Sequence, residues 1–367
     1  MLYVESILIL INICFFVNIY LWIFKKWSNL VVNLLFLIYN NLYGETICMK
    51  KEFKRVACII DTDPGVDDSV AIALSLYDEV MDIKLITTVT GNKDIDTVTR
   101  NALHILERFE RTDIPVAKGA EKAMYRVSPD ASFIHQHLGM GGYIPPETVN
   151  TKVIDEDAVE AMYRTICENK NNIVIFCLGP YTNIGMLIQK HQDVVDMISH
   201  IYSEGCAAYG HKIEGKKWGN YVSFNASSDP EAMEIVMNSG VPVTIIPSRM
   251  GRELANFTEE EVMKIRDINR VGYFFFQMYA GYWEHNYPDR RIATNDTCTC
   301  MIFRFPKFFK TKKANFVINT TDKPGKTTVT FTKSGNINYA YKLNKKKMHQ
   351  KFYEAIKKLD FLPFKKK

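Results

Sequence analysis

Four carboxylates fall within eight positions in the run Asp61-Thr62-Asp63-Pro64-Gly65-Val66-Asp67-Asp68. Like charges at that density repel one another unless a cation offsets them. Pro64 and Gly65 force a turn between the two acidic pairs. Asp67 and Asp68 then lie at a helix start, where capping and the helix dipole both favour negative charge. Capping accounts for that second pair only. Asp61 and Asp63 close an apolar run, and helix capping gives them no purpose. A site with oxygen ligands alone suits Ca²⁺ or Mg²⁺ rather than zinc. A strand followed by Asp-x-Asp also opens phosphatase loops; the continuation Pro-Gly-Val-Asp-Asp separates this loop from that class.

The elements around this run place it. Residues 56–60 are an apolar run that reads as a buried strand, and residues 69–77 have apolar positions at helical spacing. Strands are expected at 83–89, 173–178, 198–202 and 241–246, and helices at 95–109, 157–168 and 230–238. The last of these helices has Asp229 as N-cap, Pro230 at its first position and Gly240 past its end. Repeated strand–helix–strand units with near-continuous apolar strands predict an α/β fold: a mostly parallel, Rossmann-related central sheet with helices on both faces. In such sheets ligands bind beyond the carboxyl ends of the strands. The candidate site is therefore the set of loops at 61–68, 90–92, 179–183, 203–225 and 295–296. Residues 314–343 carry Val, Thr, Phe and Tyr with turns at Pro324-Gly325 and Ser334-Gly335, and predict a small antiparallel C-terminal extension. A terminal helix is expected at 347–359.

The chain has 367 residues, 47% hydrophobic and 12% aromatic, enough for one large core. The net charge of +5 sits largely in the lysine runs 345–347 and 365–367, which read as solvated surface and not as a nucleic-acid stripe. Eight cysteines include no CxxC pair, so neither a zinc site nor a disulfide framework is expected. Residues 1–50 stand apart from the domain at 51–367. Within them, residues 7–24 form an uncharged run of about membrane-spanning length. It reads either as a membrane anchor, which would tether the protein, or as a spurious extension, in which case a cytoplasmic location is expected.

The run Asp61–Asp68 resembles the signature of the inosine–uridine-preferring nucleoside hydrolase family. Further matches follow in the family's order. They are Thr87-Thr88-Val89-Thr90-Gly91-Asn92, the segment 135–142, Leu178-Gly179-Pro180-Tyr181-Thr182-Asn183, Gly219-Asn220, Phe224-Asn225, Asp229-Pro230-Glu231-Ala232 and Asn295-Asp296. The resemblance implies Ca²⁺-dependent hydrolysis of the N-glycosidic bond of ribonucleosides. It implies calcium ligation by Asp61, Asp68, Asp296 and the backbone carbonyl of Leu178. Asp61 is also expected to be the base that activates water. Asp67, Asn92, Asn220 and Asn225 are expected to bind ribose hydroxyls, and His135 to serve the base pocket. A ribonucleoside substrate and a homo-oligomer are the partners that the resemblance implies.

This chain departs from the family pattern in places that matter. Ser223 stands two residues before Asn225, where family members usually have Glu. Losing a charged acceptor for sugar hydroxyls costs roughly 1.5–3 kcal/mol. Asn295 precedes Asp296 where members usually carry His or Trp, and an amide hydrogen-bonds the base but cannot protonate it. Ser203-Glu204-Gly205 replaces Met-Gly-Gly, and Glu204 is a candidate for the carboxylate missing at 223. His135-Gln136 replaces His-Gly. Leaving-group activation is open among His135, His285, Trp283 and Tyr287. The competing reading is a nucleoside- or ribose-binding relative weakened or silenced by Ser223 and Asn295.

Overall fold

The computed structural model describes residues 54–127, 138–206, 212–213, 216–217, 222–286 and 291–359. The expected membrane segment at 7–24 lies outside them. Among the described residues no helix is long and apolar enough to cross a membrane.

The first half alternates strand and helix: β1 (Val56–Thr62), α1 (Val66–Ser75), β2 (Met81–Thr88), α2 (Ile95–Arg108), β3 (Val116–Lys118), α3 (Ala158–Glu168), β4 (Ile173–Cys177), α4 (Thr182–Lys190) and β5 (His200–Glu204). A two-residue hairpin follows, β6 (Lys212–Ile213) with β7 (Lys216–Lys217). Then come α5 (Phe224–Ser228), α6 (Pro230–Asn238), β8 (Val243–Ile246) and a π-helical turn, Met250–Leu254. The chain continues through α7 (Glu259–Arg266), α8 (Arg270–Asn286) and α9 (Asn295–Arg304), and ends in β9 (Phe309–Ile318), β10 (Thr327–Phe331), β11 (Ile337–Leu343) and α10 (Lys345–Leu359).

Nine strands form one sheet in the order β10-β9-β11-β8-β5-β4-β1-β2-β3. The seven from β11 to β3 pair in parallel, and β9 runs antiparallel to both its neighbours. The β3-β2-β1-β4-β5 portion reverses direction between β1 and β4, the place where such sheets open a crevice at their carboxyl edge. Both faces are covered, which explains the unbroken apolar strands. In β1, Cys58 and Ile60 pack on one face with residues of α1, α2, α8, α9 and α10. Ala57 and Ile59 pack on the other with α3, α4 and α6.

The helix at 230–238 ends as its residues dictate. Asp229 accepts the Ala232 N–H at 3.0 Å, and Gly240 follows at φ +95°, a left-handed conformation that suits glycine. The expected antiparallel C-terminal extension is present: β9 runs antiparallel to β10 and β11, and β11 pairs in parallel with β8, so the extension continues the edge of the main sheet. One expectation changes. Residues 295–296 do not lie in a loop but open α9, so Asp296 stands in its first turn. The helices α4, α8 and α9 carry no marks of the kind that revealed α6, whereas α7 begins with a Thr258–Glu261 capping box.

Candidate active site

β1 delivers the acidic loop to the crevice, and three residues separate the strand's end from the start of α1. Asp68 closes the helix start by accepting the Gly65 N–H at 3.1 Å, so it does act as a cap. Its other oxygen accepts the Thr62 hydroxyl at 2.6 Å. Asp67, Asp68 and Asp296 offer oxygens that all lie within 4.8 Å of one another. Two helix N-termini, those of α1 and α9, thus converge on one acidic group, and their dipoles offset part of the repulsion.

Asp61 and Asp63 part company. Asp61 Oδ1 accepts the Thr87 hydroxyl at 2.6 Å and the Asn183 amide at 2.8 Å. Burial raises its carboxyl to about 7 against those two bonds, and no other carboxylate contributes to the shift. Its Oδ2 is buried without a hydrogen-bond partner. Asp63 stands just past the strand's end and is buried. Its Oδ2 accepts the Asn92 N–H at 2.7 Å. A Cβ on Gly91 would stand 2.1 Å from that oxygen, and one on Gly179 2.9 Å from the other, so two glycines clasp this carboxylate. Burial, then the charges of Asp68 and Asp67, push its pKa well up. Asp296 is raised well up by burial and then by Asp67, Asp68, Glu204 and Asp63. Asp61 therefore stands outside the acidic group of Asp67, Asp68 and Asp296 in which calcium ligation was expected of it, and Asp63 lies beside that group, its own carboxyl raised by the charges of Asp68 and Asp67.

The carboxyl end of β5 supplies a second set of polar groups. Glu204, the last residue of that strand, is 5% exposed. Its Oε1 accepts the Ser248 hydroxyl at 2.6 Å and its Oε2 the Asn225 amide at 3.0 Å. Ser248 also lies 3.3 Å from the Ser223 hydroxyl. Burial raises the Glu204 carboxyl to about 8; Asp67 and Asp68 add to the rise, and Arg252, on the π-helical turn, opposes it. The Asn225 amide also donates to the Leu178 carbonyl at 2.6 Å, tying β5's end to the loop after β4. Asn92 donates to the Asp63 carbonyl at 3.0 Å and to Asp68 at 3.1 Å, so its amide NH₂ braces the acidic loop. Asn295 opens α9 with its Oδ1 buried and unpartnered, against a Gly251 whose Cβ would stand 2.1 Å away.

The profile of the family described as inosine-uridine preferring nucleoside hydrolase matches residues 58–353. The chain belongs to that family. A pyrimidine-specific ribonucleoside hydrolase, RihA of Escherichia coli, is 32% identical over 258 residues, 69% of this chain and 81% of that protein. The non-specific ribonucleoside hydrolase RihC of Escherichia coli is 29% identical over 311 residues, 82% and 98% of the two chains. Among solved structures, a purine-preferring ribonucleoside hydrolase from Gardnerella vaginalis superposes with a TM-score of 0.74 at 26% identity, covering 83% of this chain and 99% of that one. This nucleoside hydrolase is thus an N-ribosyl hydrolase with the α/β fold expected of it.

Of the residues singled out in its sequence, the structure brings together Asp67, Asp68, Asp296, Asn92, Asn225, Ser223 and the Leu178 carbonyl. His135, Asn220 and Tyr287 lie outside the described residues, as does the side chain of His285. Trp283 sits in α8 with its ring edge-on to Phe276, 6.3 Å between centroids. Ser248 and Arg252 carry no motif in the sequence and enter the site only through folding. The gathered side chains of Asp67, Asp68 and Asp296 offer oxygen alone, and their charges repel one another. Such a set fits a hard divalent cation such as calcium.

Proposed function

We propose that this nucleoside hydrolase cleaves ribonucleosides to ribose and free base in a Ca²⁺-dependent reaction, with Asp63 as general base. Asp63, Asp68, Asp296 and the Leu178 carbonyl are the residues that would hold the cation. Asp67, the least buried of the acidic group, is left to face sugar hydroxyls. Bound there, a hard divalent cation neutralises the carboxylates and acts as a Lewis acid toward oxygens beside it.

The protein's own part follows from the geometry. Asp63 takes the proton of the attacking water; clasped by Gly91 and Gly179, its carboxylate has little freedom to turn away. As the C–N bond lengthens, positive charge grows on the anomeric carbon and ring oxygen. The surrounding carboxylates stabilise that charge. Asn92 and Asn225 keep the loops in register, and each retains a side-chain oxygen able to accept from the sugar. Asn295 offers the leaving base a hydrogen bond without a proton to give. His135 is assigned to the leaving base on its match to the family pattern.

The observation that carries this reading is the Asp63 carboxylate, held between two glycines beside the gathered Asp67, Asp68 and Asp296, whose charges it shares. The test is base release from inosine, adenosine, guanosine, uridine and cytidine by the full chain, with and without a chelator. Release from at least one, lost on chelation and restored by Ca²⁺, is expected. Release from none by the calcium-loaded protein overturns the hydrolase reading, and release indifferent to chelation overturns the calcium dependence.

A further inference from the structure

We propose that Glu204 is the carboxylate that grips the ribose in this protein, through the sugar's 5′-hydroxyl, in a place that Ser223 leaves open. This rests on the ribonucleoside hydrolase reading and adds to it a residue that reading does not use.

Three observations converge on Glu204. It is a buried carboxylate at the carboxyl end of a parallel strand, and its oxygens are held by two neutral donors, Ser248 and Asn225. It feels Asp67 and Asp68, and Asp296 feels it, yet it is not among the carboxylates whose oxygens gather within 4.8 Å. A group that flanks the acidic cluster without joining it is placed to hold the part of the ligand that the cluster does not. A hard cation chelates vicinal hydroxyls, which in a ribonucleoside are the 2′ and 3′ pair. The hydroxyl left over is the exocyclic one at 5′. β5 lies two strands from β1, a span of about 10 Å at the usual strand spacing, and the side chains reach inward from both ends.

The surroundings show why the carboxylate can stand at 204 only if 223 is small and neutral. Gly205, at φ +114°, lets the chain turn sharply after Glu204; a Cβ there would lie 2.8 Å from the Asn225 Cβ and 3.3 Å from the Ser223 hydroxyl. Ser223 in turn is one hydroxyl contact away from Ser248, which holds Glu204. A glutamate at 223 would press a second carboxylate against the first, and like charges so close cannot both ionise.

The test compares the full-length wild type with Glu204→Gln on a ribonucleoside that the wild type hydrolyses and on its 5′-deoxy and 3′-deoxy analogues. Gln can keep both neighbours, since its oxygen can face Asn225 and its amide can donate to the Ser248 oxygen. The variant should lose about 10–100-fold in kcat/KM on the parent and on the 3′-deoxy analogue, the usual worth of a charged hydrogen bond, and little on the 5′-deoxy analogue. Affinity for D-ribose, read by calorimetry, should fall in parallel. Ser223→Glu alone should also be impaired, and Glu204→Gly with Ser223→Glu should recover at least about tenfold over either single variant. Wild-type turnover with an unaffected Glu204→Gln overturns this inference, as does an equal loss on all three substrates or a swap that recovers nothing. No turnover by the wild type itself would instead overturn the hydrolase reading.

Discussion

At the end of β1, Asp63, Asp67 and Asp68 follow one another within a single loop and helix start. At the end of β5, Glu204, Ser223 and Ser248 come from three segments, Glu204 and Ser248 44 positions apart and Ser223 and Ser248 25. The first region is dominated by repulsion: Asp63 and Asp296 are pushed well up by burial and by their acidic neighbours. The second is quiet by comparison, one buried carboxylate satisfied by a hydroxyl and an amide. The difference teaches a division of labour. A charge cluster costs stability until a cation enters, whereas a satisfied carboxylate is ready for a neutral hydroxyl without one.

The sharpest way to break this comparison lies inside the β1 region. Asp63→Asn should lower kcat by at least roughly a hundredfold, the usual contribution of a positioned base. Asp61→Asn should keep most of the activity and lose about 1–3 kcal/mol of stability, because it disturbs the bonds to Thr87 and Asn183. An Asp61 variant that is folded and as inactive as the Asp63 variant would reverse the assignment.

Cation removal should come next in size. Calcium at about a hundred times its Kd should stabilise the fold by about 2.7 kcal/mol, seen as a higher Tm. Asp296→Asn should shrink that shift, while Glu204→Gln should leave it nearly intact. An equal reduction by both variants would erase the distinction between the two regions.

A pH series on the chelated protein tests the burial of both. Burial holds Glu204 at about 8 and Asp61 at about 7, above their ordinary values. The folded chain then binds those protons more tightly than the unfolded chain, so stability is full below the unfolded pKa and is lost as pH rises through the folded one. Tm should fall between about pH 4 and about pH 8, and Glu204→Gln should flatten the upper part of that fall. A Tm that rises through this window would show that these carboxyls are not buried as described.

The smallest effect belongs outside both regions. Gly240→Ala, at φ +95° with only Val195 nearby at 3.8 Å, should cost about 1 kcal/mol and leave kcat/KM unchanged. A loss of activity there would mean that the end of α6 communicates with the site.

Much of this protein was legible in its residues alone. Apolar strands without alternation could only be buried on both faces, and the turns and caps around them set a parallel sheet. The rule that ligands bind at the carboxyl ends then pointed to the loop at 61–68, where Asp67 and Asp68 meet Asp296 from the start of α9. The acidic run argued for a cation, because carboxylates so crowded repel one another. Tertiary structure decided which acid faces which way. Spacing alone puts Asp61 and Asp63 on one face of an ideal strand, but β1 ends at Thr62, so Asp61 stays in the pleat against Thr87 and Asn183 while Asp63 stands just past the strand's end. The same holds for Glu204. Its residue type was visible, but its meeting with Asn225, Ser223 and Ser248 depends on β5 and β8 lying side by side, a contact between distant segments that local propensity does not encode.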